Sequence, residues 1–197
     1  MKNKYFHILL DYIFSLGASV NSLADPNANY NFNRPHHGLK KMRLFKELIE
    51  MQASGFIEFR DNSDLQLNNI SATDLKIHGN NIFVFLTKNG GYEWERIFEP
   101  DWSKYILDYH EPHADDSVAV GIEAGSVDTA NYVEEILYKA MCPITKKSIL
   151  SPWKPTYWKI MNEGYLIEFK MPSDTSRIVV QLKSDLPWRK SLESVGP

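Results

Sequence analysis

The stretch HEPHADD holds the densest set of potential ligands in the chain: His110, Glu111, His113, Asp115 and Asp116. Two histidines with carboxylates beside them are the donor types that zinc and similar ions select. Pro112 stands between the histidines and prevents the regular helical face on which such donors would converge. The stretch is therefore expected to be a solvated interdomain loop, and no metal is assigned to it. A second histidine pair, His36 and His37 in RPHHG, has no matching carboxylates.

Nucleophilic chemistry finds little support either. The single cysteine, Cys142, sits at the end of an expected helix beside Pro143. That is the wrong end of a helix to lower a thiol pKa, so a structural role is expected. KNGG lacks the spacing and the trailing Lys-Ser/Thr of a phosphate-binding loop. GIEAGSVD has no serine-hydrolase elbow, and Ser126 is expected to be a turn residue. Trp94 and Trp102 are eight apart and would share a helix face if Pro100 only kinked that helix. Trp153 and Trp158, with Lys154 and Lys159, would make an aromatic-basic patch if exposed; core packing is the favoured expectation. The chain is thus expected to be a non-enzyme without a cofactor, and an enzyme is the weakest of the options.

The charge layout is more informative. The net charge is −3 and the sequence pI about 6.1. Residues 93–135 carry 12 acidic and 2 basic side chains, a local balance of −10. Such a block repels nucleic acid and attracts cationic partners. Its expected partner-binding face comprises Asp108, Glu111, Asp115, Asp116, Glu123, Asp128, Glu134 and Glu135. One cysteine excludes an intrachain disulfide and fits a reducing cytosol. The N-terminal run MKNKYFHILLDYIF is interrupted by His7 and Asp11 and lacks a convincing cleavage site, so a buried helix and a cytoplasmic protein are expected. No stretch is long and uncharged enough to predict a membrane span.

The elements that must position these residues follow from periodicity. Tyr5–Leu16 is apolar nearly all round and predicts a buried helix. SVNSLAD predicts a short second helix, and PNANYNFNRPHHG a loop. Leu39–Ala53 predicts an amphipathic helix with Leu39, Met42, Phe45, Leu48 and Ile49 inward and Lys40, Lys41, Arg43, Lys46, Glu47 and Glu50 outward. Strands are predicted at FIEFR and NIFVFLT, with a short helix at SATDLKI between them. KNGG is predicted to turn the chain into a helix from Tyr92, which SKYILDY continues. SVAVGIEA reads as a strand, and VDTANYVEEILYKAM as a helix capped by Asp128 or Thr129. The segment from Cys142 to Met161 has no clear assignment. GYLIEFKM and SRIVVQLK, joined by PSDT, predict an antiparallel hairpin.

The motif Phe85-Leu86-Thr87-Lys88-Asn89-Gly90, within this order of elements over residues 5–107, resembles the second wing strand of a winged-helix domain. In that family an aromatic or apolar residue, Leu-Thr, a polar pair and Gly lead into a helix. The resemblance implies a winged-helix-like domain over residues 1–109; with the break at HEPHADD, the chain reads as α+β, with a smaller α+β domain over 110–197. It also implies that Leu39–Ala53 is a recognition helix, with Lys40, Lys41, Arg43 and Lys46 toward DNA. Against DNA stand Glu47 and Glu50 on the same helix, a long connection between the strands with few basic residues, and the acidic block that follows.

In type and composition the whole chain is similar to bacterial immunity proteins of contact-dependent inhibition and related polymorphic-toxin systems. That likeness implies a non-catalytic module that binds and neutralises a basic toxin, such as a nuclease. The alternative is a winged-helix transcription regulator with a C-terminal ligand or dimerisation domain; only then is nucleic acid a partner.

Overall fold

The computed structural model describes residues 4–15, 17–25, 37–112, 117–172, 177–191 and 194. It is an α+β protein with two antiparallel sheets. It divides into two compact units. The first comprises residues 1–99, 156–158 and 191–197; the second comprises residues 100–155 and 159–190. Residue 109, where the sequence places a boundary, lies inside a strand of the second unit.

In the first unit α1 (Lys4–Ile13) and β1 (Ala18–Ser19) precede α2 (Val20–Ala24), α3 (Lys41–Ala53), β2 (Ile57–Arg60) and β3 (Gln66–Leu67). Then come α4 (Ala72–His78), β4 (Phe83–Leu86) and α5 (Lys88–Phe98). The strand order is β1-β4-β2-β3. β2 and β4 alternate, so Ile57 and Phe59 of one strand face Leu86 and Val84 of the other on the buried side. Leu9, Leu10, Ile13, Leu44, Phe45, Leu48 and Trp94 complete the core around them. Burying such alternating apolar side chains supplies the main drive for this arrangement.

Three expectations are corrected. The buried stripe of α3 is Leu44, Phe45, Leu48 and Met51, with Glu47 buried among them. Met42, expected inward, is 59% exposed, because the stripe is rotated by about one position. KNGG is not a turn but the first turn of α5. Thr87 is the N-cap: its hydroxyl accepts from Gly90 N–H and donates to Gly55 C=O. Gly90 is therefore required by close approach, since a Cβ there would stand 1.9 Å from the Phe56 carbonyl oxygen. α5 ends with Glu99 in the left-handed region before Pro100, so Trp94 and Trp102 share no helix.

The segment 156–158 is part of this first unit. The Tyr157 hydroxyl accepts from Leu86 N–H at 2.6 Å and donates to Ile13 C=O at 2.7 Å. Trp158 Nε1 donates to Phe14 C=O at 2.7 Å, and its ring lies where Gly91 leaves room. Removal of the phenol from water pushes the Tyr157 pKa upward, although the residue as a whole remains 39% exposed. The neutral form therefore binds better in the folded state. That stability is complete below pH of about 10, where an unfolded tyrosine titrates, and falls as pH rises further. Alkaline unfolding monitored by circular dichroism should show this extra loss above about pH 10. A Tyr157→Phe chain should lack the component.

In the second unit a 3-10 turn (Trp102–Lys104) leads to β5 (Ile106–Pro112), β6 (Ser117–Ala124), α6 (Val127–Lys139), β7 (Ile144–Leu150), β8 (Gly164–Pro172) and α7 (Arg177–Asp185). The sheet order is β5-β6-β8-β7, all antiparallel. Val120, Ile122, Ala124, Ile167 and Phe169 pack with Ala130, Val133 and Leu137 of α6 and Val179 and Leu182 of α7. SKYILDY is thus not a continuing helix; it supplies the turn and the start of β5. SRIVVQLK is not the second arm of a hairpin. Its β-branched run suggests a strand, but Val179 and Leu182 are buried at helical spacing while Val180 is 66% exposed.

The N-cap of α6 is Ser126, not Asp128 or Thr129. Its hydroxyl accepts from Thr129 N–H and donates to Ser103 C=O, and Thr129 Oγ1 donates to the same carbonyl. Ser126→Ala should cost about 1 kcal/mol in chemical denaturation, with Ser126→Gly closer to neutral.

Candidate partner-binding surface

α6 turns the chain across one face of the second sheet, and β7 forms that sheet's edge. Between them runs a groove of about 270 Å³. Val127, Ala130, Asn131 and Glu134 line its helical side, and Lys147 and Ile149 stand on the strand side. Glu134 and Lys147 pair across it at 3.0 Å. The outward side of α6 presents Val127, Asn131, Glu134, Tyr138 and, one turn beyond, Met141. The first four follow the i, i+4, i+7, i+11 spacing of a single stripe, and Met141 stands past the helix end in the left-handed region. Val127 is 50% exposed, Tyr138 85% and Met141 89%. Interfaces favour such aromatic and methionine side chains.

The acidic residues singled out from the sequence fall into three groups. Asp128, Glu134 and Glu135 come together on α6. Asp128 is exposed in the first turn, where the helix dipole favours a carboxylate. Glu135 pairs with Lys139 at 2.5 Å on the surface. Asp108 and Glu123 lie on opposite sides of the second sheet. Asp108 shares the face of Ile122 and Ile167 and pairs with Lys183 of α7. Glu123 accepts from Trp153 Nε1 at 2.6 Å. Glu111 belongs to the backbone of β5, and nothing of its side chain is described. Asp115 and Asp116 lie outside the described residues, as does His113. The structure thus places three of the eight carboxylates on one helix.

The cations of the DNA alternative all lie at the start of α3. Lys40, Lys41, Arg43 and Lys46 are exposed. Arg43 pairs with Glu47 at 2.5 Å, and Lys46 lies 3.8 Å from Glu50. Lys41 reaches Asn21 at 3.4 Å and lies over the Phe45 ring. Two of the four cations are therefore engaged by carboxylates of their own helix.

Among the described residues no group of three His, Cys, Asp or Glu side chains is placed to hold a metal ion. His36 lies outside those residues. His37 is buried; its Nδ1 accepts from Leu39 N–H and Nε2 faces Leu23 C=O at 2.7 Å, so Nε2 carries the proton. Cys142 is buried, and loss of solvent pushes its thiol pKa upward, away from nucleophilic use. Trp153 is buried in the second unit and Trp158 is half-buried in the first, as core packing predicts for Trp153. Lys159 instead lies over the Trp102 ring at 5.6 Å. No helix among the described residues is long and apolar enough to cross a membrane.

The stripe on α6 was within reach of the sequence. Its spacing is helical, but apolar residues in a helix are first taken as core, and Tyr138 and Met141 carry no mark that separates them from Val133 and Leu137. The chain has no significant match among protein-family models, curated proteins or solved structures.

Proposed function

We propose that the chain is a non-catalytic protein-binding module, in its most specific form an immunity protein that holds and neutralises a basic toxin domain. The observation that carries this reading is the end of α6, where Tyr138 and, just past the helix, Met141 stand almost fully exposed, the helix also bearing Asp128, Glu134 and Glu135. Large apolar side chains supply affinity at an interface, and the carboxylates steer a cationic partner toward it. A toxic nuclease is basic because it binds phosphate, so its inhibitor gains association rate from acidity. The test is expression of the product of the adjacent gene, with and without the chain. Protection from growth arrest, with a stable complex on co-purification, is the expected result. A harmless neighbouring product and no co-purifying basic protein would reject the reading.

A second reading has its own support. α1, α2 and α3 precede the antiparallel pair β2 and β4 and then α5, which supports the element order of the winged-helix resemblance, and Lys40, Lys41, Arg43 and Lys46 are all exposed. It predicts salt-sensitive binding to DNA that weakens when Lys40 and Arg43 are replaced by glutamate. Absence of binding to genomic fragments at low salt would exclude it.

A further inference from the structure

We propose that β7 is a docking edge for a second copy of this chain, the two β7 strands pairing antiparallel about Ser148 and joining two four-stranded sheets into one. The proposal stands apart from the toxin reading and makes no use of the turn after α6.

The edge has the chemistry of an open ladder. β7 pairs with β8 on one side, and among the described residues no backbone group pairs with its other side. Alternate residues of such a strand turn their N–H and C=O outward, a row whose complement is another extended chain. β5, the other edge of this sheet, ends in Pro112, which has no N–H to give. β7 has no proline between Ile144 and Leu150. Lys147 and Ile149 stand opposite Ile167 and Tyr165 of β8, so they share the sheet face that α6 covers. Ile149 on that face is 62% exposed, and Val127 of α6 lines the same groove. A strand added about 4.8 Å beyond β7 would set its helix-side side chains against Ile149.

The sequence of β7 selects the occupant. Edge strands carry lysine against unwanted pairing, and β7 holds two. Each is tied to a glutamate of its own chain, Lys146 to Glu168 and Lys147 to Glu134, so neither is a bare charge. Two β7 strands centred on Lys146 or on Lys147 would set lysine against lysine. Centring on Ser148 gives the longest register that avoids this. Lys147 then falls opposite Ile149 of the second copy, Lys146 opposite Leu150, and Ser148 meets its own equivalent on the outer face. The aliphatic stem of Lys147 covers Ile149 of the second copy while its ammonium stays at Glu134. The same two-fold sets the two α6 helices antiparallel above the joined sheet. The end of one that bears Asp128 then turns toward the end of the other that bears Lys139, with the helix dipoles opposed. Such self-complementarity is what an interface between identical subunits requires.

The experiment is sedimentation velocity on the full chain over a range of concentrations, with Ile149→Lys and Ile149→Glu. The wild type should show a concentration-dependent dimer. Ile149→Lys sets ammonium against Lys147 at both symmetric positions and should weaken the dimer about tenfold. Ile149→Glu sets a carboxylate against Lys147 instead and should keep at least the parent's affinity. The residue is exposed, so both variants should keep a Tm close to the parent's, which separates pairing from folding. Mild oxidation of Ser148→Cys should give a covalent dimer, and that of Lys146→Cys should not, because only residue 148 meets its own equivalent. A wild type that is monomeric at every concentration would overturn the proposal. So would equal weakening by Lys and Glu at position 149, or cross-linking at 146 in preference to 148.

Discussion

A Gly90→Ala chain is expected to lose at least about 3 kcal/mol of stability in the first unit. Gly90 lies in the first turn of α5, and a methyl group there would meet the Phe56 carbonyl oxygen at 1.9 Å. That oxygen already accepts from Thr87 N–H at 3.0 Å, so it cannot swing away without breaking the link between β2 and β4. The added atom must therefore push the helix off the sheet, and Trp94 and Phe98 on α5 would leave their places in the core. Alanine is the better helix former, so propensity alone would predict a gain of about 1 kcal/mol. The two arguments have opposite signs, and the steric one is larger. Urea denaturation followed by hydrogen exchange at β2 and β4 decides between them. Asn89→Ala, one residue earlier and exposed, should stay within about 0.5 kcal/mol of the parent.

Trp158→Ala should be nearly as costly, about 3 kcal/mol, although the residue lies far along the chain from the unit it stabilises. Its ring fills the space beside Gly91 and stands edge-on to Trp94 at 6.1 Å. Its Nε1 satisfies Phe14 C=O just after α1. Removing the ring opens a cavity against helix backbone, which relaxes poorly, and leaves that carbonyl without its indole donor. Adding Tyr157→Phe should cost about a further 1–2 kcal/mol, because it removes the hydroxyl bound by Leu86 N–H and Ile13 C=O. The expected signature is unfolding of α1 and α5 at lower denaturant, with the second unit's amides protected as before. Equal stability in the parent and the double variant would show that the segment is a passenger.

These two cases also show what the sequence carries. Helices and strands governed by local pattern were readable: α1, α3, β2, β4, β6, α6 and β8 all lie where periodicity places them. The errors arise where a distant contact decides. Gly90 looked like a turn glycine because nothing local shows that the Phe56 carbonyl approaches it. SKYILDY scans as a helix until β6 provides a partner strand for it. SRIVVQLK looked extended because its β-branched residues are more visible than the spacing of Val179 and Leu182. The segment from Cys142 to Met161 yielded no assignment because its residues serve two different units: Trp153 fills one core while Tyr157 and Trp158 complete the other. At the candidate surface, composition identified the acidity, but only the fold separates Asp108 and Glu123 from the three carboxylates on α6.

The membership of residues 156–158 in the first unit has a consequence for how the chain is made. A ribosome delivers residues in order, and N-terminal domains ordinarily finish folding while the remainder is still being synthesised. Here the N-terminal core waits. Until Tyr157 and Trp158 have emerged, the Leu86 amide and the carbonyls of Ile13 and Phe14 lack their native side-chain partners, and the side of Trp94 that Trp158 covers stays open. The first unit to begin folding is therefore completed only after residues 100–155 of the second have been made. A nascent chain arrested before residue 156 should be cut readily by protease within α1 and α5, and one arrested well beyond residue 158 should resist.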